Sequence, residues 1–212
     1  MRIEFVSRGV VCLAAMPPST LDVAAFETAT GLDRALTQVI NPQLAVADYG
    51  RLRLVVVPGQ PSNQIQLEAP GNVNRELCRT AATELIRQAT PYALRGLGFN
   101  GYGKISCEDE EDPVRALLNE AIINERLGTE LSRAGIKLVF PMDGARATLD
   151  ISPPADEDPA SWGVSINRHY AGAPDDDERA RAISWFAALN DELPRAVGRL
   201  IRAQADEVED VA

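Results

Sequence analysis

Alternating apolar and polar positions predict two β-hairpins along the chain. Residues 51–69 form an apolar run, a turn rich in Gly, Pro, Ser and Asn, and an alternating return segment that places Ile65 and Leu67 on one face. Residues 136–152 repeat this arrangement around Asp143-Gly144, a dipeptide that is typical of tight hairpin turns. We therefore expect one strand pair over 51–69 and a second over 136–152.

Other segments have the same period of two but no obvious turn to pair them. Residues 2–16 are expected to form an edge or first strand, and Pro17-Pro18 ends it. Further strands are predicted at 94–107 and 162–170.

Helical periodicity predicts three main helices. The first spans 74–90, the second begins near Pro113 and reaches about 134, and the third spans 177–205, where Pro194 is expected to kink it. A weaker amphipathic segment covers 22–40 and is interrupted by a glycine.

These elements predict an α+β protein with antiparallel or mixed sheets packed by three helices. Hydrophobic residues make up 45% of the 212 residues, enough for a core in one compact unit over 1–212. The two hairpins, each followed by a helix, also suggest two pseudo-repeated halves, 1–107 and 113–206.

The net negative charge of the chain argues against nucleic acid and membranes as partners. The formal net charge is -10 and the isoelectric point is about 4.7, so the surface repels nucleic acid and anionic lipid. No apolar run is long enough to span a membrane. We expect a cytoplasmic protein whose partner has a basic surface, with a homo-oligomer as a second arrangement. Basic residues are nearly all Arg, with only Lys104 and Lys137 as lysines, which suggests a bacterial, GC-rich coding sequence.

Metal and disulfide chemistry have little support. Cys12, Cys78 and Cys107 are far apart and form no CxxC motif, which indicates reduced thiols rather than a disulfide framework or zinc site. His169 is the single histidine, so three-histidine zinc sites are excluded. No cofactor and no metal are expected.

Residues 96–103 contain a literal G-x-G-x-x-G motif, GLGFNG. A dinucleotide site needs these glycines between a strand and a helix N-terminus. Here the segment continues as strand, so we interpret the glycines as room for a helix or a second backbone to approach. A bulge near Phe99-Asn100 is expected to change the strand register.

His169 is the one residue able to act as the base of a catalytic triad. Asp150 and Asp143 lie on neighbouring predicted strands and are the nearest carboxylates able to orient it. No spacing fixes such a geometry, so His169 and Asp150 remain weak catalytic candidates and a surface histidine is favoured.

The interaction candidates are one tryptophan and three arginines. Trp162 follows a loop and would be an interface anchor if exposed, although burial is favoured. Arg195, Arg199 and Arg202 share one face of the last helix and suit an acidic partner or the acidic tail. Acidic runs at 108–112, 156–158, 175–178 and 207–210 lack the spacing of a calcium loop, and the run at 175–178 suits a helix N-terminus.

Two functions follow from this pattern. The first is a non-enzymatic bacterial protein-interaction factor, such as an adaptor, an inhibitor or immunity-like protein, or an assembly subunit, that acts through its acidic surface. The alternative is a small-ligand-binding protein or hydrolase-like enzyme that uses His169 and the glycine-rich strand 96–103.

Overall fold

The computed structural model describes residues 2–106, 114, 134–154 and 161–209, without the side chains of residues 199 and 201–209. The helix predicted over 113–134 and the acidic runs at 108–112 and 156–158 therefore lie largely or wholly outside the described residues.

The described chain contains nine strands and four α-helices. The strands are β1 (Arg2–Ala14), β2 (Thr37–Asn41), β3 (Leu44–Asp48), β4 (Arg53–Val57), β5 (Asn63–Pro70), β6 (Gly96–Ser106), β7 (Ile136–Met142), β8 (Ala145–Ser152) and β9 (Ser161–Tyr170). The helices are α1 (Val23–Thr30), α2 (Arg75–Ala89), α3 (Asp176–Ala187) and α4 (Leu189–Glu209). Short 3-10 turns lie at Pro18–Thr20 and Thr90–Tyr92.

All nine strands form one antiparallel sheet in the order β2-β3-β4-β5-β1-β6-β9-β8-β7. The hairpins predicted over 51–69 and 136–152 are both confirmed, as β4–β5 and β7–β8. The expectation that the first strand lies at an edge is wrong, because β1 is the middle strand and pairs with β5 and β6. Its partners come later in the chain, and local alternation carries no information about such distant pairing.

The helices lie against one face of this sheet. They contact β1, β5 and β6, and the strand residues beneath them, such as Val10, Cys12 and Phe99, are fully buried. We call this side the covered face and the opposite side, which carries Val11 and His169, the open face. The mixed α+β class is thus confirmed, and no helix in the described part of the chain is long and apolar enough to cross a membrane.

The amphipathic segment at 22–40 is only partly helical. Helix α1 begins at Asp22, whose carboxylate accepts a hydrogen bond from the Ala25 amide at 2.9 Å, and ends at Gly31 with a φ of 66°. The chain then forms the β2–β3 hairpin, where the Asn41 side chain accepts from the amides of Gln43 and Leu44. Sequence reasoning missed this hairpin because an Asx turn, rather than a glycine pair, closes it.

The long terminal helix is divided at a different place from the predicted one. Helices α3 and α4 are separated at Ala188, whereas Pro194 lies inside α4. The interruption allows Leu189 and Leu193 to turn onto the sheet, where both are fully buried. Packing against β6, rather than proline geometry, sets the break.

Candidate functional site

The glycines of β6 fall into two pairs that lie on opposite faces of the sheet. On the covered face, a methyl group at Gly101 would lie 3.2 Å from the Leu189 side chain, and one at Gly103 would lie 3.3 Å from that of Leu193. This supports the interpretation that the glycines admit a close helix. On the open face, methyl groups at Gly96 and Gly98 would lie 3.6 and 3.8 Å from His169, so this histidine packs over the strand.

The expected bulge at Phe99-Asn100 is absent. Pairing of β6 with β9 runs without a shift from Leu97 to Ser106, and the only irregularity in the β1–β6 pairing falls between Phe5 and Ser7 of β1. The odd spacing from Gly98 to Gly101 moves the glycines from one face to the other, which needs no bulge because strand side chains alternate.

His169 lies on the exposed open face, opposite Gly98 on one side and Arg146 on the other. Asp150 shares this face but pairs with Ser165, four residues along β9, which is about 13 Å at the usual rise of a strand. Its carboxylate accepts a hydrogen bond from the Ser152 hydroxyl at 2.7 Å. The structure therefore does not bring the two weak catalytic candidates together.

Asp143, the other carboxylate considered for His169, contacts Arg168 instead. Arg168 donates to its carboxylate and to its carbonyl oxygen, each at 3.4 Å. Arg168 is 1% exposed and points to the covered face, between the rings of Tyr170 and Trp185. The carboxylate thus holds the β7–β8 turn against the helix layer instead of orienting His169.

The open face presents a continuous row of neighbouring residues across the whole sheet. From β2 to β7 the row through His169 contains Val39, Val46, Val55, Gln66, Val11, Gly98, His169, Arg146 and Pro141. A parallel row contains Thr37, Asp48, Arg53, Glu68, Gly9, Asn100, Asn167, Thr148 and Val139. The surface is therefore aliphatic at one end and polar across the centre.

A depression of about 610 Å³ lies in the middle of the open face. Gly9 forms part of its floor, where an added methyl group would come within 3.2 Å of the Leu67 carbonyl oxygen. Arg53 and Glu68, 3.9 Å apart, line one side, and Tyr102 lines the other with 48% of its surface exposed. This combination of a shallow apolar floor and polar walls suits a protruding side chain or a small polar molecule.

Charges that face each other across strands of the open face have opposite signs. The cross-strand pairs are Asp48 with Arg53, Arg53 with Glu68, Glu4 with Lys104, and Lys137 with Asp150. Such pairs stabilise a sheet modestly and leave little net charge on its surface. The strong acidity of the chain therefore does not originate on this face.

The acidic run at 175–178 has the structural role expected of it. Asp175 caps α3 and forms a reciprocal capping box with Glu178, whose amide donates to Asp175 at 2.7 Å. Side chains of the run at 207–210 are outside the described residues, so its surface role stays a prediction.

The interaction candidates are placed on different parts of the molecule. Trp162 is 5% exposed and belongs to the covered-face core, so burial, the favoured reading, is what the structure shows. Arg195 is exposed on α4, 3.4 Å from Glu192. Arg199 and Arg202 lie on the same helix, but their side chains are outside the description.

Sequence reasoning missed two fully buried arginines, Arg8 and Arg168, and the open face itself. Arg8 interrupts an otherwise apolar buried face of β1. This interruption is the sequence signal that could have indicated a buried arginine. Among the described residues, no group of three His, Cys, Asp or Glu side chains could hold a metal ion.

Comparison with known proteins does not assign the chain to a family. No protein-family model matches the chain, and no curated protein matches it in sequence.

Proposed function

We propose that this chain is a non-enzymatic protein-interaction factor and that its open face is the binding surface. The observation that carries the proposal is a nine-stranded sheet whose described helices all pack on one side. The other side exposes Val39, Val57, Tyr102 and Val139 by 39–49%. Exposed aliphatic and aromatic groups among balanced charges favour a protein partner over nucleic acid, which needs a basic surface.

The depression over Gly9 is the proposed anchor point. A partner side chain entering it would contact Tyr102, a residue type enriched at binding hot spots, and meet the carboxylates of Asp48 and Glu68. Because Arg53 lies between these two carboxylates, they favour a polar group on the partner at this point rather than a cation alone. The net charge of -10, which is expected to attract a partner with a basic surface, would then act at long range, from elsewhere on the surface.

A cytoplasmic location is part of the same proposal. Cys12 and Cys78 are free and buried, and burial raises the pKa of the Cys12 thiol to about 12. Unpaired buried thiols suit a reducing compartment. The bacterial origin rests only on the preference for Arg over Lys.

We also retain the proposal of two pseudo-repeated halves. Each half holds one of the predicted hairpins, β4–β5 in 1–107 and β7–β8 in 113–206. In each half the returning strand of the hairpin, β5 or β8, also pairs antiparallel with a further strand of the same half, β1 or β9. An equivalent arrangement in both halves is what a duplicated unit would produce.

The experiment is affinity capture from the producing cells with matched variants. Tyr102→Glu places a charge at the edge of the depression, whereas Leu36→Glu changes an apolar residue that is 77% exposed and is not among the residues that line the depression. We expect Tyr102→Glu to lose the captured protein and Leu36→Glu to retain it. Equal retention by both variants, with native circular dichroism, would contradict the proposal.

A small-ligand function is the second candidate, favoured by the size of the depression, which lies within the usual range of ligand pockets. The same purified protein, screened against polar metabolites by thermal shift, tests it. A ligand whose stabilisation disappears in Asn100→Ala, but persists in the Thr148→Ala control on the same row, would favour this function. The hydrolase version has weaker support, because Asp150 lies about 13 Å along the sheet from His169 and the Asp143 carboxylate accepts from Arg168.

A further inference from the structure

Strand β7 is an edge strand whose centre is unusually apolar. It ends the sheet on one side, and Leu138, Val139 and Phe140 are 37%, 49% and 38% exposed. Edge strands normally carry charges or prolines that prevent association. Here Lys137 and Pro141 occupy only the two flanks of the apolar triplet.

The β7–β8 turn determines which backbone groups face outward. Asp143 and Gly144 have φ values of 45° and 76°, as a two-residue hairpin turn requires. The flanking pair, Met142 with Ala145, is then hydrogen-bonded, and such pairs alternate along the ladder. The N–H and C=O groups of residues 137, 139 and 141 therefore point away from β8, except that Pro141 has no N–H.

A two-fold axis at Val139 would pair all of these groups except one carbonyl in each copy. The two Val139 residues would exchange both backbone hydrogen bonds, and each Lys137 amide would donate to the Pro141 carbonyl oxygen of the other copy. Pro141 has no N–H to donate to the Lys137 carbonyl oxygen, so the pairing is limited to five residues, 137–141. These five residues are the apolar triplet and its two flanking residues.

The side chains are self-complementary in the same register. Leu138 of each copy faces Phe140 of the other on the covered face, and the two Val139 side chains meet on the open face. Lys137 lies opposite the uncharged Pro141, so no like charges are directly opposed on these strands. The other edge, β2, is more polar, since Thr37, Gln38 and Asn41 flank the apolar pair Val39 and Ile40.

We propose that a second copy of this chain pairs with β7 across this axis and makes a closed dimer with one continuous sheet. An isologous contact of this kind closes after two copies, whereas β7 pairing with β2 of another copy would propagate into a fibre. The proposal does not require a partner to bind in the depression of the open face, which Val139 does not line.

Sedimentation velocity of the full chain at physiological ionic strength tests the dimer, because salt screens the repulsion between two acidic copies. Val139→Lys places two cations in direct opposition on the axis. We expect it to raise the dimer dissociation constant at least about tenfold. Val39→Lys is the matched control, since Val39 is the same residue type, is 43% exposed and lies on the opposite edge strand.

Oxidative cross-linking gives a second readout that does not depend on the stability of a charged variant. With Cys107→Ser in the background, Val139→Cys should form a covalent dimer, because opposed residues in this register have Cα atoms about 5.5 Å apart, within disulfide range. Val39→Cys should not.

A wild-type chain that stays monomeric into the high micromolar range overturns the proposal. So does a dimer that is weakened by Val39→Lys and not by Val139→Lys, or cross-linking that is equal at both positions. A chain that stays monomeric and pairs its β7 strand with a strand of a different protein would also overturn the proposal.

Discussion

Arg8 donates a hydrogen bond from Nη1 to the carbonyl oxygen of Ala187 at 2.8 Å, and it reaches the Phe186 carbonyl at 3.2 Å. The central strand thereby closes the C-terminal end of α3, where unpaired carbonyls and the negative end of the helix dipole favour a cation. Burial lowers the pKa of the guanidinium, and Asp191 opposes that change. These carbonyl contacts, together with the ring of Phe5 4.9 Å away, hold a buried charge in place.

Removing this guanidinium should destabilise the whole fold. We expect Arg8→Ala to lower the free energy of unfolding by at least about 2 kcal/mol, because it leaves a cavity and removes the side-chain donor of the Phe186 and Ala187 carbonyls. Arg8→Lys should be intermediate, since an ammonium cannot reproduce the forked contact. Urea unfolding measures both, with exposed Arg95→Ala as the control. A loss no larger than that of the control would refute this role.

Two glycines of β6, Gly98 and Gly103, should respond differently to an added methyl group. Gly103→Ala would place Cβ 2.8 Å from the Glu4 carbonyl oxygen and 3.0 Å from Val164, so we expect a loss of about 2 kcal/mol. Gly98→Ala meets nothing closer than 3.8 Å and should change stability by less than about 0.5 kcal/mol. Chemical denaturation of the pair provides the test. Similar losses at both positions would mean that the strand needs glycine for another reason.

Glu84 should stabilise the folded state at neutral pH and lose this effect in acid. Hydrogen bonds from Arg87, at 2.6 and 2.7 Å, hold the pKa of this carboxyl below its ordinary value of 4.5, with a further bond from Gln88. A depressed folded pKa means that its stabilisation is complete above the unfolded pKa and disappears as pH falls through the folded one.

Glu84→Gln should therefore be less stable than the wild type at neutral pH, and the difference should shrink below about pH 4.5. Urea unfolding over a pH series measures this. The control is Glu76→Gln, which removes the partner of Arg79 on the exposed side of the same helix and should show a small difference throughout. A gap between wild type and Glu84→Gln that stays constant with pH would contradict the assignment.

The buried thiols should be inert until the protein unfolds. Burial raises the pKa values of Cys12 and Cys78, that of Cys12 to about 12. Alkylation needs a thiolate and access, so peptides containing either residue should remain unmodified by iodoacetamide at pH 8 in the native protein. Both should react in denaturant, as mass spectrometry would detect. Rapid native labelling of Cys12 would show that the core at β1 opens locally.

Most local features of the fold could be predicted from the sequence. Asp143-Gly144, the turn after Val57 and the acidic run at the start of the last helix each act within a few residues, and all three appear where expected. Helix α2 was also predictable, because its apolar stripe and its cap at Asn74 are both local signals.

The long-range features could not be predicted. The position of β1 depends on partners at 63–70 and 96–106. The break at Ala188 depends on Leu189 and Leu193 fitting over two glycines more than eighty residues away. The open face could not be predicted for the same reason. Each of its rows combines one residue from each of nine strands, and the sequence of one strand does not indicate which strands lie beside it.

The middle position of β1 has a consequence for how the protein reaches this structure during synthesis. Strand β1 leaves the ribosome before either partner exists, and at 5–20 residues per second it waits several seconds for β5 and longer for β6. The carbonyls that receive Arg8 belong to residues 186 and 187, so they are made later still. Arg8 therefore lacks these two acceptors until α3 has been made, so the side of β1 that carries Arg8 cannot be sealed by the helix before then.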